Sequence, residues 1–194
     1  MKMISLLLFC VLCLQCSADR SIERLSDTEV ATLEHFQRME PIHTVSITGE
    51  QEPGEKLLLC VTFVDKNSKN PLVNKRVLFY HTNTNGDYEP SNANDETTAR
   101  LHGSATTNSA GNIYVSTILP GDYGSSENNR HIHTGVFGAR PEAYDIFFEQ
   151  YSRGFGSMMN SGNDQIFYAT LRKTKDNRLV GFVTIEVKNT AVTD

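Results

Sequence analysis

The sequence predicts an all-β protein, an antiparallel β-sandwich preceded by one short helix. Three observations lead there. Short apolar or alternating runs recur at Leu57–Val64, Arg76–His81, Ile113–Leu119, His131–Phe137, Tyr144–Phe148, Gln165–Arg172 and Leu179–Val187. Turn chemistry separates them, at Asn67-Ser68-Lys69-Asn70-Pro71 and at Asn108-Ser109-Ala110-Gly111-Asn112. Helical spacing appears in a single stretch near the N-terminus. Repeated short strands divided by turn residues fit a sandwich better than alternating strand–helix units.

The composition agrees with one globular domain plus a short appendage. At 194 residues the chain is one domain long. With 39% hydrophobic and 21% charged residues it is neither collagen, coiled coil nor a disordered chain. A formal net charge of −5, with no basic patch, gives nothing to neutralise a phosphate backbone, so no nucleic-acid partner is expected.

Taken in order, Lys2 precedes an apolar stretch from Ile4 to Leu14, followed by Cys16-Ser17-Ala18. A charged start, an apolar core of about ten residues and a small-residue exit describe a secretory signal peptide, residues 1–18. The run is too short to span a bilayer, which takes about 20 residues. Cys10, Cys13 and Cys16 leave with this segment, so the exported chain keeps only Cys60 and can form no internal disulfide. Cys16 also stands where a bacterial lipoprotein carries its acylated cysteine, although Gln15 fits that motif poorly. Membrane attachment would follow only from such an anchor, and both readings place the protein outside the cytoplasm.

Residues 19–43 read as a helical segment. Ser26-Asp27-Thr28-Glu29 is a capping box, and Val30, Leu33 and Phe36 follow at helical spacing, which predicts a helix over 26–38 stopped by Pro41. Its aromatic and histidine side chains could serve a homo-oligomer. The β-domain occupies 44–194. Leu57–Val64 is continuously apolar, as in a strand buried on both faces. Lys175-Asp176-Asn177 makes the last two strands a hairpin. Asp87–Arg100 and Tyr151–Asn163 are polar, Gly- and Asn-rich loops, where sites tend to sit. Cys60, mid-strand, reads as a buried inert hydrophobe, and His35 and His43 as solvated. His81 and His102 could border a pocket. Scattered acids give little support to a paired-carboxylate hydrolase.

Four residues carry chemistry: Tyr88, Tyr123, His131 and His133. In His131-Ile132-His133 the two-residue period puts both imidazoles on one strand face and Ile132 on the other. Such a pair can grip one metal ion, though most pairs of this kind are ordinary surface histidines. Upstream, Gly86-Asp87-Tyr88 and Gly121-Asp122-Tyr123 each end a strand in a turn that presents a tyrosine. Tyrosines capping a sandwich edge are common. A tyrosinate, however, is a hard, charged oxygen ligand that suits Fe(III) better than Zn(II) or Cu(I).

Together these residues resemble the intradiol ring-cleavage dioxygenases, over roughly Leu57 to Val187. Arg100-Leu101-His102-Gly103 through Thr107, then Gly111 through Tyr123, is similar to the family's longest shared stretch; His131-Ile132-His133 and Phe137-Gly138 follow, and Phe167–Val187 resembles its closing hairpin. The resemblance implies a prealbumin-like β-sandwich with Tyr88, Tyr123, His131 and His133 as four Fe(III) ligands. It further implies that a catechol binds as a dianion through both oxygens and that Tyr123 leaves the metal to act as base. The ring is then opened with O2 to a muconate-type diacid. Arg130 would be the catalytic cation.

The match departs from the family in places. The family's Arg usually stands three residues before the first His, within R-P-x-H-I-H; here Asn128-Asn129-Arg130 lead directly into His131. The connection from Tyr123 to His131 is short. A Gln expected about fifteen residues past the second His is replaced by Phe148, with Gln150 two further on. Arg100 and Arg140 are alternative cations. These departures keep a second account open, a β-sandwich binding module that retains the fold and not the chemistry. A third is a secreted carrier using the His pair for copper or zinc.

Overall fold

The computed structural model describes residues 21–124, 128–152 and 164–189. The expected signal peptide and most of the Tyr151–Asn163 loop lie outside the described residues.

One helix, α1 (Asp27–Gln37), precedes nine strands: β1 (Thr44–Ser46), β2 (Lys56–Asp65), β3 (Arg76–His81), β4 (Leu101–Thr106), β5 (Asn112–Ile118), β6 (His131–Val136), β7 (Ala143–Phe148), β8 (Ile166–Lys173) and β9 (Leu179–Val187). The capping box forms as expected: the Ser26 hydroxyl accepts from the Glu29 amide, and the Glu29 carboxylate accepts from the Ser26 amide at 2.7 Å. Among the described residues no helix is long and apolar enough to cross a membrane.

The strands form one hydrogen-bonded sheet in the order β1-β5-β2-β9-β8-β7-β6-β3-β4. It curls until its edges meet. A Cβ added at Gly103 in β4 would lie 2.5 Å from the Val45 side chain in β1. The architecture is therefore a nearly closed, barrel-like sheet, and the expected sandwich of two stacked sheets is not what the strand order describes. Nor is the sheet all antiparallel, because β1–β5, β2–β9 and β7–β8 run parallel. Alternating side chains look the same in both directions, and partners far apart in sequence leave no local trace of their sense. The β8–β9 hairpin is antiparallel, as the Lys175-Asp176-Asn177 turn implies. Strands β1 and β4 escaped the sequence pattern because Thr44, Ser46, Gly103 and Ser104 interrupt it with small polar residues.

The core lies inside the curl. Leu57, Leu59, Val61 and Phe63 of β2 point inward and are fully buried. The alternate residues Leu58 and Cys60 point outward and are covered by Leu33 and Phe36 of α1. The continuous apolar run of β2 is thus explained, since the helix seals its outer face. Burying each such Leu or Phe contributes about 1.5–3 kcal/mol. Burial pushes the Cys60 thiol up to about 12, so it stays an unreactive thiol. On β6 the alternation puts Ile132 and Val136 into the core and turns His131 and His133 to the outer face.

Candidate functional site

Two turns place the tyrosines, and two glycines let the turns touch. In the first, the Asn83 side-chain carbonyl accepts from the amides of Asn85 (2.8 Å) and Asp87 (3.2 Å), folding the chain toward Tyr88. In the second, Gly121 donates its amide to the Asn83 carbonyl at 2.9 Å. Contact this close leaves no room for side chains. A Cβ on Gly86, whose φ is +87°, would fall 2.0 Å from the Asp122 carbonyl oxygen, and one on Gly121 would fall 2.5 Å from that of Thr84. The repeated Gly-Asp-Tyr motif is what brings both tyrosines to one end of the barrel.

Asn129 ties the second turn to β6. Its side chain accepts from the Tyr123 amide at 2.7 Å and donates to the Tyr123 carbonyl at 2.6 Å, while its own carbonyl accepts from His131 Nδ1 at 2.5 Å. At the other imidazole, His133 Nδ1 lies 2.6 Å from Asp145 Oδ1. Both Nδ1 atoms are therefore donors, and both Nε2 atoms carry lone pairs. These lone pairs face each other at 3.1 Å, and the Tyr88 hydroxyl lies 2.7 Å from His133 Nε2. Tyr88 donates there, which leaves His131 Nε2 directed at a second acceptor. A cation placed between the rings would satisfy all three atoms.

The rings are held from behind. His133 stacks on Tyr80, with centroids 4.7 Å apart and planes at 21°; His131 stacks on Phe147 at 4.7 Å and 13°. Register supplies these partners: His133 sits opposite Tyr80 on β3 and Asp145 on β7, and His131 opposite Phe147 on β7. Tyr123 is at the rim, 42% exposed, its ring 5.2 Å from Tyr88 and 6.4 Å from His131. Its hydroxyl donates to Glu96 Oε1 at 3.1 Å, out of the short 3-10 turn Glu96–Thr98 in the long loop.

Burial sets the local titrations. It holds His131 below the usual imidazole range and lifts Tyr80 to about 12. Tyr88 is raised further still, by burial first and then by Glu96. Tyr123 is raised chiefly through its hydrogen bond to Glu96. Without a strong positive charge nearby, both tyrosines remain phenols at neutral pH.

The structure thus gathers Tyr88, Tyr123, His131 and His133, the four residues singled out in the sequence. Arg130 does not join them. Its Nε lies 3.5 Å from Asp122 Oδ2, and its guanidinium sits 4.6 Å over the Tyr151 ring. Arg100 is clamped between Glu52 and Glu89 at 2.9 Å and 2.6 Å. Phe148 is buried in the core, and Gln150 spends both ends of its amide on the Leu171 backbone. His81 is fully buried and hydrogen-bonded to the Thr82 carbonyl and the Thr117 hydroxyl, each at 2.7 Å. His43, expected in solvent, is half-buried and donates to the Thr106 carbonyl at 2.7 Å. Sequence reasoning missed Asp145, Tyr80, Phe147, Asn129 and Glu96. Only strand register and loop packing bring them to the site, and no motif carries that signal. Among the described residues no three His, Cys, Asp or Glu side chains are placed to hold a metal ion together, so a metal here would need tyrosine as well as histidine.

Comparison with known proteins follows the same direction. A family model described as dioxygenase matches residues 35–192. No curated protein sequence matches. Among solved structures, the dioxygenase domain of a dioxygenase carbohydrate-binding fusion from Streptomyces sp. SirexAA-E is 19% identical, with a TM-score of 0.57, covering 77% of this chain and 92% of that one. An intradiol ring-cleavage dioxygenase from Tetranychus urticae is 18% identical with a TM-score of 0.56, covering 77% and 88%. The 3-chlorocatechol 1,2-dioxygenase of Rhodococcus opacus 1CP is 16% identical with a TM-score of 0.57, covering 78% and 66%. At these identities the structural likeness speaks for the fold.

Proposed function

The chain belongs to the intradiol ring-cleavage dioxygenase family, and from that premise we propose that it is an exported, iron-dependent enzyme that opens a catechol-type ring with O2 to a muconate-type diacid. One observation carries the reading. His133 Nε2 lies 3.1 Å from His131 Nε2 and 2.7 Å from the Tyr88 hydroxyl, with both Nδ1 atoms already engaged and the Tyr123 ring beside that of Tyr88.

In this reading Tyr88, Tyr123, His131 and His133 hold Fe(III). The donor set suits it, because two phenolates and two imidazoles favour a hard trivalent ion. When bound, the ion supplies Lewis acidity that draws electron density from a coordinated catecholate. The chain's own residues do the rest. Tyr88, buried and hard to ionise, would lose its proton to solvent only beside a strong positive charge that stabilises the phenolate, so it would serve as a firmly held ligand. Tyr80 and Phe147 fix the imidazole planes and keep an apolar wall behind them. Tyr123 has its ring at the rim and its hydroxyl on Glu96, so it can move aside without disturbing the core. It is therefore suited to take the substrate's proton at its phenolate oxygen. Arg130, held by Asp122 and Tyr151, would act through the rim rather than at the reacting atoms.

The test is the visible spectrum of the purified, iron-loaded protein under argon, with and without catechol. A tyrosinate charge-transfer band that moves to longer wavelength on adding catechol, then bleaches in air, is the expected result. A protein that stays colourless after iron loading refutes the site. A second reading, a binding module without turnover, is favoured by the engagement of Arg130 and Gln150 elsewhere. Tyr123→Phe separates the two: an enzyme loses turnover, while a binding module keeps its catechol affinity.

A further inference from the structure

The two imidazoles are not held alike. His131 gives its Nδ1–H to a neutral backbone carbonyl, that of Asn129. His133 gives its own to the Asp145 carboxylate at 2.6 Å. Among the described residues Asp145 forms no ion pair with a lysine or arginine, so its charge is directed at this one imidazole. Its place follows from the sheet. Asp145 is the β7 residue directly opposite His133 of β6 and alternates onto the same outer face. Tyr80, opposite His133 on the other side, stacks under the ring and removes its remaining rotational freedom. Both groups are partly sheltered, with side-chain exposures of 20% for His133 and 31% for Asp145, so water competes only partly for the bond. A carboxylate on the far nitrogen fixes the tautomer and makes the near nitrogen a stronger donor.

We propose that Asp145 is the positioning residue of this site. It holds His133 with Nδ1 protonated and Nε2 bare, aimed at the point where Tyr88 and His131 converge. Its negative charge makes His133 the stronger of the two nitrogen donors. The proposal rests on the reading above that the two Nε2 atoms face a metal, and it adds a residue that touches neither metal nor substrate.

The experiment uses Asp145→Leu, Asp145→Asn and Asp145→Glu in the full protein. The first readout needs no metal. Long-range 1H–15N spectra of the metal-free protein report each histidine's tautomer. Asp145→Leu should shift His133 away from Nδ1–H and leave His131, bound to a backbone carbonyl, unchanged. The second readout is Fe(III) affinity by competition with citrate. Asp145→Leu should weaken it by about 10- to 100-fold, and Asp145→Glu should recover most of that loss. Where Asp145→Leu does not fold, Asp145→Asn decides. Its amide oxygen can still accept, but without charge, so the tautomer should persist while affinity falls and the tyrosinate band moves to longer wavelength. A His133 that keeps its tautomer in Asp145→Leu overturns the proposal. So does an affinity within about threefold of wild type in Asp145→Leu, or an unmoved affinity and band in Asp145→Asn. A wild-type protein that takes up no iron would refute the function proposed above, yet the tautomer spectra would still decide whether Asp145 sets His133.

Discussion

Lowering the pH from 7 to 5 should destabilise this protein through His81, a residue outside the candidate site. His81 ends β3 with no solvent exposure, donating Nδ1–H to the Thr82 carbonyl and accepting the Thr117 hydroxyl at Nε2. Burial lowers its pKa from 6.5 to about 4; the Thr82 contact and Glu52 oppose the shift, and the nearby His131 and His133 add to it. Because the folded-state value is depressed, the unfolded chain binds the proton more readily. The stability from a neutral His81 is therefore complete above pH 6.5 and is lost as pH falls toward 4. Between pH 7 and pH 5 the difference in proton uptake amounts to about 2 kcal/mol, a large share of a typical domain's stability. Urea unfolding at the two pH values measures it directly. In His81→Gln, whose amide can still donate and accept but cannot charge, the fall should be smaller by about 2 kcal/mol, leaving only what other groups such as the buried His131 contribute. An equal fall in both proteins, or no fall in wild type, would refute the reasoning.

Three further outcomes follow from the packing. Gly86→Ala would force a Cβ into the Asp122 carbonyl at positive φ, so the two tyrosine turns should separate; we expect a cost of about 1–3 kcal/mol by urea unfolding and loss of iron uptake under conditions where the fold survives. Phe36→Ala would uncover Leu58 and Cys60 and should cost about 3 kcal/mol by the same assay, while leaving the visible band of iron-loaded protein unchanged. Ser26→Ala removes the N-cap of α1 and should cost about 1 kcal/mol, again without effect on iron binding.

Local features were legible because local rules make them. The capping box fixed the start of α1, hydrogen bonds three residues apart being enough to specify it. The alternation of His131, Ile132 and His133 fixed which side chains share a face, because the pleat allows nothing else. The unbroken apolar run of β2 announced two buried faces without saying what covers the second. Glycine spacing hinted at two turns that present Tyr88 and Tyr123, yet gave no sign that the turns pack backbone against backbone.

By itself, then, the sequence determined a strand-rich chain, one capped helix, the turns, the face that carries both histidines and the four residues worth watching. Tertiary structure decided that the strands curl into one nearly closed sheet with parallel pairs among them, that α1 seals β2, and that Arg130 turns to Asp122 and Tyr151. It also decided that Asp145 and Tyr80 flank His133 and that Phe147 lies beneath His131. The division has a physical cause. Periodicity and capping act over a few residues and are written into neighbours, whereas strand register and direction arise from burying one face of many distant segments at once, which no single segment encodes.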